Sequence, residues 1–266
     1  MKIAFSTLGV PGMPVAQVAQ LAADHRFHGV ELRAHPTEEP VHTGLAPRQR
    51  SEVRQEFIDA GVEVLGIGSY VKVAAPGEDE PVLTELRDHV ALAADLGAPY
   101  VRVFPGAGES APAGADAVAA RRLAAVAAYA LDRQVRILVE THDSHRTAAD
   151  VGRILGLVGH RAVGALWDVM HTWLGGEQPS ASYPALAPHL GYVQVKDIAS
   201  AGDQTPLPLG QGVLPLTECV EVLSREGWDG WLCWEYEKRW FPAVPELPGL
   251  LDGARHHLWR LLNESA

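Results

Sequence analysis

The chain has 266 residues, of which 47% are hydrophobic and 21% charged, with a formal net charge of −11. This composition is too apolar for a disordered chain, and no apolar run approaches the length of a bilayer span. An acidic balance without a Lys/Arg cluster excludes a nucleic-acid footprint. The densest basic group, Arg48, Arg50 and Arg54, is interleaved with Glu52 and Glu56, as on a solvated helix face.

The N-terminal segment has one Lys and a short apolar stretch broken by Gly9, Pro11, Gly12 and Pro14, so it reads as a first strand and loop rather than a signal peptide. Short β-branched or apolar runs then predict strands at Lys2–Thr7, Gly29–Ala34, Glu63–Ser69, Tyr100–Pro105, Arg136–His142, Val163–Val169, Tyr192–Asp197 and Trp231–Tyr236. Between them, Ala/Leu-rich stretches of helical period predict helices near Pro14–Arg26, Arg48–Ala60, Pro81–Leu96, Ala115–Asp132, Thr147–Val158, Pro184–His189, Pro215–Arg225 and Glu246–Leu262. Thr147 and Asp150 have the spacing of a capping box, and Gly29, Gly61, Gly97 and Gly227 fall where left-handed C-caps are expected. Strict βα alternation implies a parallel sheet with helical crossovers. Eight such units in a chain of this length predict one α/β domain over residues 1–266, a closed (β/α)8 TIM barrel. An open doubly wound sheet is the alternative, but no Gly-x-Gly-x-x-Gly follows the first strand. The Pro/Gly-rich segments 36–47, 105–114 and 199–208 each follow a strand and are expected as loops over the active face. The two cysteines, Cys219 and Cys233, form neither a disulfide framework nor a metal-binding spacing, which fits a reducing cytoplasm.

The C-terminal ends of barrel strands carry the chemistry. Four consecutive predicted strands end in polar residues: Glu140 and His142 on the fifth, Asp168 followed by His171 on the sixth, Gln194 and Lys196 on the seventh, and Glu235 and Glu237 on the eighth. A carboxylate inside an apolar strand is expensive to bury, and three converging on one point need a cation. Oxygen-only donors select a hard ion, Mg²⁺ or Mn²⁺, with Co²⁺ admissible. Lys196 shares a face with Gln194 and is expected to bind an anionic group or pair with one of the carboxylates. A Schiff-base role for it would not need the ring. Arg33 and Arg102, near the ends of the second and fourth strands, are candidates for an acidic substrate. Glu31 shares Arg33's strand face and is expected either to bind substrate or to pair with that arginine. Tyr70, Phe104, Trp173 and Trp240 are candidate aromatic walls. His145, His160, His256 and His257 lack a constellation and are expected on the surface.

The segments Val139-Glu140-Thr-His142, Trp167-Asp168-Val-Met-His171, Val193-Gln194-Val-Lys196-Asp197, Leu209-Gly210-Gln-Gly212 and Gly230-Trp-Leu-Cys-Trp-Glu235-Tyr-Glu237 occur in an order and spacing that resembles the xylose isomerase-like sugar phosphate isomerase/epimerase superfamily, end to end. The resemblance implies that Glu140, Asp168, Gln194 and Glu235 hold one divalent metal. It also implies that His142 and His171 work at the substrate. From the site itself, Glu140 and Glu235 on separated strands are expected to accept and return a proton of a small polyhydroxy or keto substrate by way of a metal-stabilised enediolate. Many members carry His where this chain has Gln194, and Gln there also resembles the dehydroshikimate dehydratase branch. A dehydratase of the 3-dehydroshikimate or inosose type is therefore the alternative to an isomerase or epimerase. The abasic-site endonuclease branch needs more His ligands and a basic groove, and a non-enzymatic barrel would lack the ligands. The resemblance also suggests a homo-oligomer.

Overall fold

The computed structural model describes residues 1–108 and 114–264. In chain order the elements are β1 (Lys2–Ser6), α1 (Val15–Asp24), β2 (Gly29–Arg33), α2 (Pro47–Ala60), β3 (Glu63–Lys72), α3 (Asp79–Leu96), β4 (Tyr100–Phe104), α4 (Ala115–Asp132), β5 (Arg136–Glu140) and α5 (Ala148–Val158). They continue with β6 (Val163–Asp168), α6 (Val169–Leu174), α7 (Pro179–Leu186), β7 (Leu190–Val195), β8 (Ile198–Ser200), β9 (Asp203–Pro206), α8 (Leu216–Arg225), β10 (Trp231–Trp234) and α9 (Leu251–Glu264). The strands close in the order β1-β10-β7-β6-β5-β4-β3-β2. Because β1 pairs in parallel with both β2 and β10, the barrel is shut and the open-sheet alternative falls. No helix among the described residues is long and apolar enough to cross a membrane.

Side chains alternate along each strand, so two apolar populations arise. One faces the helices and forms the large core. The other, Ala4, Leu65, Leu138, Leu166, Tyr192 and Cys233, fills the barrel interior. Two residues further along, the same inward face carries Ser6, Glu140, Asp168, Gln194 and Glu235. The apolar plug thus fixes which side chains stand in the next layer, at the mouth.

The expected caps explain most helix ends. Thr147 and Asp150 form a reciprocal capping box on α5, and Gly61, Gly97 and Gly227 take left-handed backbone. Gly29 does not. It is a strand residue, and a Cβ there would meet the Trp231 ring at 2.8 Å; the left-handed residue after α1 is Arg26. Three further elements differ from the sequence reading. Asp168 ends β6 and N-caps α6, accepting from the Met170 N–H at 2.8 Å, so the chain turns helical where a strand tail was expected. A helix at Pro179–Leu186 precedes the short 3-10 turn at Ala187–His189. The 199–208 loop contains an antiparallel hairpin, β8–β9. Of the expected 105–114 loop, residues 109–113 lie outside the described residues.

Candidate active site

β5, β6, β7 and β10 are consecutive in the barrel, and their C-terminal ends bring Glu140, Asp168, Gln194 and Glu235 to one side of the mouth. All four are buried. Burial pushes the Glu140 carboxyl up to about 8, with Arg102 and His142 opposing. It also raises Asp168, against the pull of Lys196. At Glu235 burial is outweighed by Lys196 and Arg102, and the carboxyl is lowered.

Lys196 lies among the carboxylates. Its Nζ stands 2.9 Å from Asp168 Oδ2, 2.7 Å from Glu237 Oε1, and against Glu235 Oε2. Asp168, Glu235 and Glu237 hold the ammonium well above the ordinary lysine range despite its burial. It is therefore a fixed cation, not the neutral amine that a Schiff base requires. Of the two roles expected for Lys196, pairing with the carboxylates is the one formed. On β4, next to β5, Arg102 Nε stands 3.2 Å from Glu140 Oε2 without hydrogen-bond geometry. The carboxylates Glu31, Glu140, Asp168, Glu235 and Glu237 still outnumber Arg102 and Lys196.

Glu140 Oε2 and Gln194 Oε1 are buried acceptors without hydrogen-bond partners, whereas Asp168 Oδ2 has Lys196 Nζ at 2.9 Å. Buried polar atoms are normally satisfied, so two oxygens without hydrogen-bond partners on β5 and β7, with the Asp168 carboxylate on β6 between them, fit a hard divalent cation. The tightest group of ionisable donors among the described residues is a different one. Glu140, His142 and His171 have ligand atoms within 4.8 Å of one another. Glu140 belongs to both sets.

A cavity of about 400 Å³ opens above the ring, lined by Arg102, Glu140, His142, His171, Glu235 and Glu237 together with Leu8, Tyr70, Phe104, Met170, Gln204 and Trp240. The His142 and His171 rings are 4.2 Å apart. Their ionisations diverge. At His142 burial opposes the charge, but Glu140 and Asp143 raise the pKa above the ordinary value. Burial, His142 and Lys196 hold His171 well below it. One ring is thus biased towards imidazolium and its neighbour towards neutrality.

Other expected residues stand elsewhere. Arg33 does not line the cavity: its Nη1 donates to Glu39 at 2.5 Å, its Nη2 to Glu38 at 2.6 Å, and its Nε to Tyr70 Oη at 2.5 Å. The Glu31–Arg33 pair is not formed, because Glu31 turns inward and accepts from Tyr192 Oη and from Gln194 Nε2 at 3.0 Å. Tyr70, Phe104 and Trp240 wall the cavity, whereas Trp173 packs against the core. His145, expected at the surface, is fully buried, with Nε2 2.8 Å from Asp116 and Nδ1 2.9 Å from Ser144. Sequence reasoning missed Leu8, Met170 and Gln204. It also gave Asp197 no role. Asp197 accepts from the N–H groups of Gly210, Gly212 and Leu214 and so folds the loop after β7.

A putative hydroxypyruvate isomerase of Streptomyces coelicolor is 29% identical over 91% of this chain and 92% of its own length. A solved structure of a probable 3-DHS dehydratase, AsbF, from Bacillus anthracis superposes with a TM-score of 0.80 at 19% identity, covering 97% of this chain and 98% of that one. The IolI protein, solved with a bound zinc atom, gives a TM-score of 0.83 at 16% identity, covering 100% of this chain and 99% of that one. The Xylose isomerase-like TIM barrel family matches residues 19–258, and the chain belongs to that family.

Proposed function

We propose that this protein is a divalent-metal-dependent isomerase or epimerase of a small, anionic hydroxy-carbonyl compound. The observation that carries the reading is the pair of buried oxygens without hydrogen-bond partners, Glu140 Oε2 and Gln194 Oε1, flanking the buried Asp168 carboxylate on the strand between them, with Glu235 completing the ring. These four residues would hold the metal, with Mn²⁺ or Mg²⁺ the first choice for oxygen donors and Co²⁺ the next. When bound, the metal supplies Lewis acidity to the substrate's carbonyl and adjacent hydroxyl.

The remaining work falls to side chains. Glu140 and Glu235 line the cavity from separated strands. One accepts the α-proton and the other returns it to the neighbouring carbon or to the opposite face. His142 and His171 relay protons to the substrate oxygens. Arg102, whose Nε and Nη1 are buried without hydrogen-bond partners, takes the substrate's anionic group. The hydroxypyruvate isomerase relative supports a substrate of this kind, and two buried free thiols accord with a reducing, cytoplasmic setting.

A dehydratase is the second reading. His142, biased towards the protonated ring by Glu140 and Asp143, is placed as the acid that a departing hydroxyl needs. A conjugated, ultraviolet-absorbing product would select the dehydratase.

The test begins with metal content. Chelated protein is reloaded with Mn²⁺, and turnover is measured by exchange of the substrate's α-proton in deuterated water. Glu140→Gln and Glu235→Gln should each lose roughly 10²–10⁴-fold in turnover with the thermal transition retained. A wild type that binds no metal, or full turnover in either variant, ends the assignment.

A further inference from the structure

Gln194 is an awkward metal ligand. A carboxylate presents two equivalent oxygens, whereas an amide has one ligating end, and its other end carries two N–H donors that repel a cation. Rotation of the amide by half a turn would therefore destroy the site. We propose that Glu31 is the positioning residue that holds the Gln194 amide with its carbonyl oxygen towards the metal. The inference rests on the metal-site reading above.

Both hydrogens of Gln194 Nε2 are directed at carboxylates. Glu31 Oε2 lies at 3.0 Å and Glu235 Oε1 at 3.2 Å. With the nitrogen fixed between two acceptors, the oxygen must face the other way, and Gln194 Oε1 is indeed the buried atom with no partner. Glu235 cannot do this alone, because it also meets Lys196 and belongs to the ring itself. Glu31 comes from a separate part of the wall: β2 lies three strands from β7 round the barrel, beyond β10 and β1. It is held there by Tyr192 Oη, two residues before Gln194 on the same inward face of β7. Gly68 leaves the adjoining space open, since a Cβ there would stand 3.1 Å from Arg102 Nη2 and 3.7 Å from Glu31 Oε1. Glu31 is 1% exposed and does not line the cavity, so contact with substrate does not account for it. A carboxylate buried that deeply is costly, and the hydrogen bond to Gln194 gives it a task.

The test is the affinity for Mn²⁺, read from the signal of the free ion by electron paramagnetic resonance. Four proteins are compared: wild type, Glu31→Gln, Gln194→Glu, and the double variant. In Glu31→Gln the new amide can donate as well as accept, so both orientations of Gln194 become satisfied, and Kd should rise ten- to a hundred-fold. In the Gln194→Glu background the ligand has no wrong end. There Glu31→Gln should change Kd by no more than a few-fold, because a carboxylate ligates through either oxygen and only the loss of one nearby negative charge remains. This non-additivity is not produced by a residue that merely neutralises Arg102 or supports the barrel. Equal weakening in both backgrounds, or no change in either, overturns the proposal while leaving the metal site standing. A wild type that binds no Mn²⁺ brings down the metal-site reading and this inference with it. Should Glu31→Gln fail to fold, Tyr192→Phe loosens the same carboxylate without removing its charge. It should raise Kd several-fold, and an unchanged Kd in that variant is equally fatal.

Discussion

The mouths of β2 and β4 each bury an arginine, and the two environments differ in one respect. Around Arg33 the protein supplies a partner in every direction: Tyr70 at Nε, Glu39 at Nη1 and Glu38 at Nη2, with the Tyr70 and Trp240 rings 5.0 and 5.6 Å from the guanidinium carbon. Around Arg102 it does not. The guanidinium lies 4.0 Å over Phe104 and faces Glu140, while Nε and Nη1 have no hydrogen-bond partner. A guanidinium fork filled from its own chain is a rivet. One left open beside a cavity has donors free for an incoming anion. Both are arginines level with Gly68 of β3, so the difference lies largely in Glu38 and Glu39, which the segment after β2 provides.

The strongest way to break this comparison is Arg33→Met. It strands Glu39, which is almost as buried as its partner, and removal of one member of a buried pair costs about 3–5 kcal/mol. Chemical denaturation should show a loss of that size, while KM measured on the folded fraction stays within about twofold of wild type, because substrate binding is set elsewhere. A large KM change with normal stability would move Arg33 into the substrate site.

Arg102→Lys sharpens the other half. The charge is kept and the planar fork is lost. The expected result is a fall of roughly ten- to a hundred-fold in kcat/KM for an anionic substrate, about 1.4–2.8 kcal/mol in transition-state binding, carried mainly by KM. Stability should change by less than the Arg33 variant shows. If a neutral substrate analogue suffers the same loss, Arg102 serves Glu140 rather than an incoming anion.

The same contrast explains what could be read in the sequence. Leu138, Leu166, Tyr192 and Cys233 are strand residues of the interior plug, and Glu140, Asp168, Gln194 and Glu235 each follow by two. Apolar patterning therefore announced both the barrel and the ring, because a carboxylate on a buried face is too costly to keep without a compensating charge. What stayed hidden depends on partners distant in sequence or on elements too short for periodicity to speak. His145 looked like a surface histidine because Asp116, its partner, belongs to α4. α6 has six residues, less than two turns, and follows a strand without a gap, so its cap, Asp168, read only as a strand end. Gln204 reaches the cavity from β9, a polar strand ending in Pro206. Arg33's role was within reach, since Glu38 and Glu39 lie five and six residues further on, in a segment read only as an active-face loop.

Asp143 offers the finest test, because it combines both conditions: satisfied like Arg33, yet beside the cavity like Arg102. Its backbone is left-handed, with φ 37°. Its carboxylate accepts from the Gly106 N–H at 3.0 and 3.2 Å and from Ser144 Oγ at 2.8 Å, and lies 3.3 Å from His142 Nδ1. Burial opposes the charge, but His142 and Ser144 outweigh it and hold the carboxyl well below the usual range. The linkage sign follows from a folded pKa lower than the unfolded one: the stability Asp143 adds is fully present above about pH 4 and is lost as pH falls through the folded value. Because the group is partly exposed, its charge contributes about 1 kcal/mol at neutral pH. Asp143→Asn should show that deficit at pH 7 and converge on wild type in denaturation series run progressively below pH 4. The variant should also lower the His142 pKa, since one of the two acids that raise it is gone, and NMR titration of the ring reads this directly. A deficit that persists unchanged into acid would mean that Asp143 acts through the shape of its turn. His142 would then owe its proton to Glu140 alone, and the ring's readiness as an acid would depend on whether the Glu140 charge is taken up by a metal.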